Sequence, residues 1–489
     1  MIVYASFTVD ADDRHDLILY NSIYTILLPL TLLLTSGRAR QIALALFSLI
    51  AFPPALVETG WFLIDRSVVV RNQLWAIFAT NPAEASGFLS MLQAWQWVVL
   101  VCYVCLSLFL LILALRECGH TTNYLVSAIG WVLAASLCLI PGVRYNVPCI
   151  NFYNSYRGYR ADVQCAEEFL RSRRDVSDLV QNEWNDSIGT VVVIIGESLS
   201  KRHCSLYGYC RPTTPRLDQR NDIIAYEHVR SSDFMTQAVL KQVLTFSTPA
   251  SPTLPELLHA AGWHTYWYDP YEGRNNTSNT MPTSFSSIAR LCDHYYLSGE
   301  TEQYDGALLT HLHAVVQDSV APRKAIFLHL IGNHFPYERR YPQEFQYFTN
   351  EDICTPLCDR LSAKQKAAVN AYDDAVRYND WFVDSVLQIL NGVSGRCAML
   401  YFPDHGEEVY DEECYAGRSF NHITPNLYEI PCIFWQNESL AHERSLYINP
   451  QMPYCTRDMI HTLLDLFAVS YSEQDTCRSL FRPQTVSKP

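Results

Sequence analysis

Three stretches of this 489-residue sequence place metal-ligating side chains directly after apolar runs. Residues 191–195 lead into Gly196-Glu197-Ser198, residues 325–331 into Gly332-Asn333-His334, and residues 397–402 into Pro403-Asp404-His405-Gly406-Glu407-Glu408. A carboxylate, an Asp-His pair and a further histidine delivered to one spot would suit Zn²⁺ or a similar divalent ion, whose usual donors include carboxylate oxygen and imidazole nitrogen. Each alone is weak, because an isolated Asp-His is most often a surface turn; three runs ending in ligand types are a stronger signal. Such a site calls for a nucleophile. Thr236, in Ser231-Ser232-Asp233-Phe234-Met235-Thr236-Gln237, precedes the apolar-periodic stretch 238–246. It would fall in the first turn of a helix, where the N-terminus favours a phosphate anion and a metal ion lowers the hydroxyl's pKa. A threonine there also serves as a plain N-cap, and the residues alone leave both roles open.

The elements that must position these side chains follow from the patterning. From about residue 188, short β-branched runs alternate with amphipathic stretches, and residues 191–195, 325–331, 397–402 and 431–435 are apolar throughout. Strands buried on both faces read this way, so a mostly parallel sheet covered by helices, an α/β fold, is expected. Ligands gather at the carboxyl ends of such strands, where Glu197, His334 and Asp404 fall.

The first third has another character. Residues 17–35, 41–64, 97–115 and 124–140 are apolar enough to span a bilayer, which needs roughly 20 such residues per helix. The last is short and Pro53 and Pro54 interrupt the second, but lipid-facing backbone must be helical, so kinked helices are expected. Arg38 and Arg40, and Arg116 with His120, mark the two short loops as cytoplasmic. The acidic start (Asp10, Asp12, Asp13, Asp16) and everything after residue 144 then lie outside. The start has no basic n-region followed by an apolar core and small-residue cleavage site, so no removable signal peptide is read. Residues 73–92 read as an outer-face helical segment with Trp75, Trp95 and Trp97 near the interface and Thr80 and Glu84 one turn apart. Tyr145, Phe152, Tyr153, Tyr156 and Tyr159, interleaved with Arg157 and Arg160, suit a linker on the membrane surface. The expected organisation is a transmembrane domain over 1–144, a linker over 145–187 and an extracytoplasmic domain over 188–489.

Composition sets limits on partners. The chain is 49% hydrophobic and 18% charged, with a net charge of -14, which excludes a non-specific nucleic-acid binder. Sixteen cysteines without metal-finger spacing suit an oxidising compartment, and disulfides are expected. Short spacing suggests Cys354 with Cys358, and more weakly Cys204 with Cys210, provided the Cα atoms come within about 7 Å.

Ile194-Ile195-Gly196-Glu197-Ser198, then Ser205-Leu206-Tyr207-Gly208-Tyr209-Cys210-Arg211-Pro212-Thr213-Thr214-Pro215, then His329-Leu330-Ile331-Gly332-Asn333-His334, then Asp404-His405-Gly406-Glu407-Glu408 together resemble the bacterial phosphoethanolamine transferases, in motif order and over nearly the whole chain. The resemblance implies a multi-pass inner-membrane enzyme: a helical transmembrane domain plus an α/β sulfatase-like, alkaline-phosphatase-type periplasmic domain. It implies transfer of phosphoethanolamine from phosphatidylethanolamine to lipopolysaccharide through a phospho-threonine, with release of diacylglycerol. Glu197, Thr236, Asp404 and His405 match the family's zinc ligands, at one site with a second conceivable, and Thr236 also matches its nucleophile. His334 and His422 match two histidines that hold the phosphoethanolamine group, and imidazole suits acid–base work near neutral pH. Thr80 and Glu84 resemble part of the membrane-side donor motif, with Ala76 where an asparagine is expected, and Arg274 stands in the region of the family's substrate lysine. Such enzymes usually have five spans starting inside, against four here starting outside; a missing first span leaves the catalytic domain on the same side. Residues 405–411 most resemble the branch acting on the lipopolysaccharide core, with lipid A or a glucan as other acceptors. A phosphoglycerol transferase or sulfatase-like hydrolase would share the metal core. A non-catalytic membrane-anchored binding protein is the rival of another class.

Overall fold

The computed structural model of the chain describes residues 37–65, 89, 92–116, 124–138, 152–158, 160–161, 164, 176–182, 189–246, 251–269, 284–297, 304–319, 321–351, 353–418 and 422–482. The expected first span 17–35, and Thr80, Glu84 and Arg274, lie outside the described residues. The chain divides into two units, Met1–Asp162 and Val163–Pro489.

In the first unit the apolar segments after residue 36 are helical: α1 Gly37–Asp65, with Pro53 and Pro54 inside it, α2 Ala94–Arg116 and α3 Tyr124–Cys138. Helix α1 packs on α2, where the Tyr103 hydroxyl donates to the Phe52 carbonyl at 3.2 Å and the Gln96 amide donates to the Leu63 carbonyl. These cross-helix bonds occupy polar groups that the apolar surroundings would otherwise leave unsatisfied. Among the described residues no helix is long and apolar enough to cross a membrane. Helices α2 and α3 expose large apolar side chains, Val98, Leu106, Phe109, Leu125 and Val132 among them.

The second unit is built on a seven-stranded sheet: β1 Gly189–Gly196, β2 Ile224–Ala225, β3 His264–Asp269, β4 His294–Leu297, β5 Arg323–His329, β6 Arg396–Pro403 and β7 Ile433–Gln436, in the order β2-β7-β6-β1-β5-β3-β4. Strands β6, β1, β5, β3 and β4 run parallel. The fourth apolar run forms β7, which is antiparallel to both β6 and β2. A parallel neighbour would need a crossover back to the other end of the sheet, and residues 404–432 return without one.

The central strands are apolar at every position because both faces are covered. Val191, Val193 and Ile195 of β1 share a core with α4 Thr236–Leu244, α5 Leu254–Ala260 and α8 Met459–Leu466. Val192 and Ile194 face the opposite core, formed with α6 Leu308–Gln317 and α7 Ala363–Asn391. Helix α7 starts at a capping box in which Ser362 and Gln365 each satisfy the other's backbone N–H.

The disulfide differs from both expected pairs: Cys210 joins Cys354, while Cys204 and Cys358 are free. Nearness in sequence did not decide the pairing. Arg211 donates to the Thr349 carbonyl at 2.7 Å, to Asn370 at 2.9 Å and to Asp373 at 2.7 Å, which folds the loop carrying Cys210 onto α7 and the segment before it. The two Cα atoms thereby come within 6.5 Å. Cys204 is buried in the core instead.

Candidate metal centre

Strands β1 and β6 are paired up to Gly196 opposite Pro403, so Glu197 and Asp404 emerge side by side at the carboxyl edge. The Asp404 N–H donates to the Gly196 carbonyl at 3.0 Å, which carries the pairing one step further. Beyond β5 the turn at Gly332 presses on the same spot. Gly332 has φ +52 and a Cβ there would stand 2.7 Å from the Glu197 carbonyl oxygen, so only glycine fits. The Asn333 N–H donates to that carbonyl at 2.9 Å. Three strand ends thus meet at one place.

The side chains are oriented one by one. Asp404 Oδ1 accepts from the N–H of Ser198 at 3.2 Å and of His405 at 2.8 Å, while its Oδ2 is buried without a hydrogen bond. His405 Nδ1 lies 2.7 Å from the Gly406 carbonyl, which can only accept, so Nδ1 carries the proton and Nε2 presents a lone pair in the neutral ring. That nitrogen stands 3.3 Å from Glu197 Oε1 and 3.2 Å from Asp404 Oδ2. Ligand atoms of Glu197, Asp404 and His405 all lie within 4.8 Å of one another, and all three residues are buried. Two carboxylates and an imidazole converge in a buried place, where positive charge offsets the repulsion between the carboxylates. The orphaned Asp404 oxygen and the fixed histidine tautomer therefore fit a divalent metal ion with mixed nitrogen and oxygen ligands.

Thr236 is the first residue of α4, after Met235 as N-cap. Its hydroxyl does not cap the helix. It donates to Glu197 Oε2 at 3.2 Å and lies 3.3 Å from His405 Nε2. The helix therefore directs both the hydroxyl and its N-terminal dipole at the ligand cluster.

The electrostatics are those of a strongly coupled group. Burial alone would raise Glu197, but the hydrogen bond and charge of His405, with Arg418 and His334 behind them, hold it well below the usual carboxylate range. Burial and the neighbouring Glu197 charge push Asp404 up to about 6. Burial and Arg418 work against the charged form of His405, yet Asp404 and Glu197 raise it overall.

The two further histidines lie differently. His334 donates from Nδ1 to the Phe335 carbonyl at 2.8 Å and is close enough for its charge to act on Glu197. His422 pairs through Nδ1 with Glu413 and stacks on Tyr415, with ring centroids 4.4 Å apart; the ligand cluster is not among its contacts. Three further residues, to which the sequence assigned no role of their own, complete this place. Arg418 reaches His405, Glu197 and Glu407. Glu407 is pushed to about 7 by burial and accepts from the Tyr337 hydroxyl at 2.9 Å. Asp305 accepts from the N–H groups of Ile331 and Gly332 at 2.8 and 2.9 Å and so fixes the turn before His334. The available signal for Arg418 was a lone basic residue in an acidic stretch between His405 and His422.

Comparison with known proteins places these features among relatives. The sulfatase family profile matches residues 189–469. The phosphoethanolamine transferase EptC of Escherichia coli is 29% identical over 529 aligned positions, covering 99% of this chain and 89% of its own. The crystal structure of the C-terminal periplasmic domain of the E. coli EptC in complex with Zn is 30% identical, with a TM-score of 0.58 over 63% of this chain and 90% of that one. The integral membrane lipooligosaccharide phosphoethanolamine transferase A of Neisseria meningitidis shares the fold at 18% identity, with a TM-score of 0.63 over 97% of this chain and 93% of that one.

Proposed function

Because the chain belongs to the sulfatase family, and within it to the phosphoethanolamine transferases, we propose that it transfers phosphoethanolamine to lipopolysaccharide, with phosphatidylethanolamine as donor. The observation that carries the reading is Thr236, whose hydroxyl meets Glu197 and His405 at the N-terminus of α4. Glu197, Asp404 and His405, with Thr236 as fourth ligand, would hold zinc, and the Zn complex of the E. coli domain supports that choice. When bound, the ion lowers the pKa of the Thr236 hydroxyl and neutralises charge on phosphoryl oxygens.

The residues of the chain then divide the work. Thr236 Oγ1, having lost its proton, attacks the donor phosphorus, and the bond from phosphorus to the diacylglycerol oxygen breaks. A protonated histidine, His334 or His422, gives its proton to that oxygen and diacylglycerol leaves. The same histidine, now neutral, takes the proton of an acceptor oxygen, which attacks the phospho-threonine and restores the Thr236 oxygen. His334 suits this role because its Nδ1–H donates to the Phe335 carbonyl, which orients the ring, and its charge acts on Glu197. Thr80 and Glu84 on the membrane side, and Arg274, are proposed to bind the donor headgroup. The exposed apolar faces of α2 and α3 support an anchor in the inner membrane, with the zinc-binding domain in the periplasm.

The test is a headgroup-transfer assay with purified chain, phosphatidylethanolamine and lipopolysaccharide. Wild type should release diacylglycerol and modify the acceptor, Thr236→Ala should do neither, and Thr236→Ser should keep part of the rate. Release of free phosphoethanolamine without acceptor modification would replace the transferase reading by a hydrolase.

A further inference from the structure

A guanidinium lies over the ligand cluster. The short ribbon in which Ala416–Gly417 pairs with Glu408–Val409, with Gly417 opposite Glu408, brings the next residue, Arg418, back beside Glu407. Arg418 Nη1 contacts His405 Nε2 and lies 3.3 Å from the Phe234 carbonyl. Its Nη2 stands 3.6 Å from Glu197 Oε1 and its Nε 3.5 Å from Glu407 Oε2. The side chain is 19% exposed, so it can be reached from solvent while Glu197, Asp404 and His405 are closed off.

Arg418 Nη1 and Thr236 Oγ1 flank the same atom, His405 Nε2. A phosphoryl group joined to Thr236 Oγ1 therefore carries its free oxygens into the reach of the guanidinium. A planar fork of N–H donors matches two phosphoryl oxygens, whereas a carboxylate ligand set repels them. We propose that Arg418 binds the phosphoryl oxygens of the group in transit, first on the donor and then on Thr236; this rests on the reading of Thr236 as nucleophile. The tether to Phe234, two residues before Thr236, sets the guanidinium beside the helix N-terminus, so two anion-attracting features converge on one phosphate.

The experiment uses the purified full chain in detergent, loaded with zinc, and measures binding of inorganic phosphate by calorimetry together with zinc content by elemental analysis. Arg418→Ala should weaken phosphate binding by about 10- to 100-fold, the range for one charge-assisted hydrogen-bond pair. Arg418→Lys should recover part of it, since the charge returns without the fork, and zinc content should stay at the wild-type level in both. Unchanged phosphate binding in Arg418→Ala would overturn the proposal, as would loss of zinc in both variants, which would make Arg418 a support of the ligand cluster. If wild type binds phosphate through Arg418 but Thr236 never carries the group, the phosphate site stands and the nucleophile reading falls.

Discussion

His203 offers a quantitative prediction away from the metal centre. Its ring is fully buried between Asp373 of α7, 2.6 Å from Nδ1, and Asp411, 3.0 Å from Nε2. Tyr209 and Tyr372 border the ring, and Arg211 shares Asp373. Burial disfavours the imidazolium, but the two carboxylates outweigh it and raise the pKa to about 10. The unfolded chain has a value near 6.5, so the contribution to stability is full below pH ~6.5 and is lost as pH rises toward 10. A difference of that size corresponds to about 4–5 kcal/mol. It agrees with the 3–5 kcal/mol range expected for breaking a buried ion pair. The perturbation is His203→Gln, which keeps hydrogen bonding but never carries charge. The assay is guanidinium unfolding of the full chain in detergent, followed by fluorescence of the buried Trp263 and Trp267. The gap between wild type and variant should be about 4–5 kcal/mol at pH 6 and should shrink steadily toward pH 10. Other groups that titrate over this range are common to both proteins and cancel in the difference. A gap that stayed constant, or grew with pH, would refute the buried imidazolium.

Further outcomes follow from the same geometry. Cys210→Ser should lower stability by up to about 5 kcal/mol, because the bond closes a loop with a sequence separation of 144; non-reducing peptide mapping should recover the Cys210–Cys354 peptide from wild type. Asp404→Asn should remove zinc, measured by elemental analysis, and transfer together. A phosphatase reporter fused after residue 160 should be active outside the cytoplasm and one fused after residue 38 should not, and the reverse pattern would overturn the proposed orientation.

The strand ends were legible because the strands are buried on both faces, which leaves unbroken aliphatic runs and makes the first polar residues after them conspicuous. Thr236 was legible for a related reason, standing just before a 3.6-residue apolar period. Strand direction is not written in such a run, so the reversal of β7 came only from the return path of residues 404–432. Strands β3 and β4, with sequences HTYWYD and HYYL, carry aromatic and polar side chains instead of an aliphatic run and did not announce themselves. The disulfide depended on where Arg211 anchors its loop, and Arg418 on the register of a two-residue ribbon. Long-range pairings of that kind leave no local periodicity.

The proposed transfer turns on one bond, between phosphorus and the Thr236 oxygen. Purified full chain, zinc-loaded and incubated with phosphatidylethanolamine but no acceptor, should gain the mass of a single phosphoethanolamine group, which fragmentation should locate on Thr236. Adding lipopolysaccharide should discharge it. An enzyme that modified the acceptor at full rate without this adduct, or a Thr236→Ala variant that transferred as fast as wild type, would contradict the covalent route.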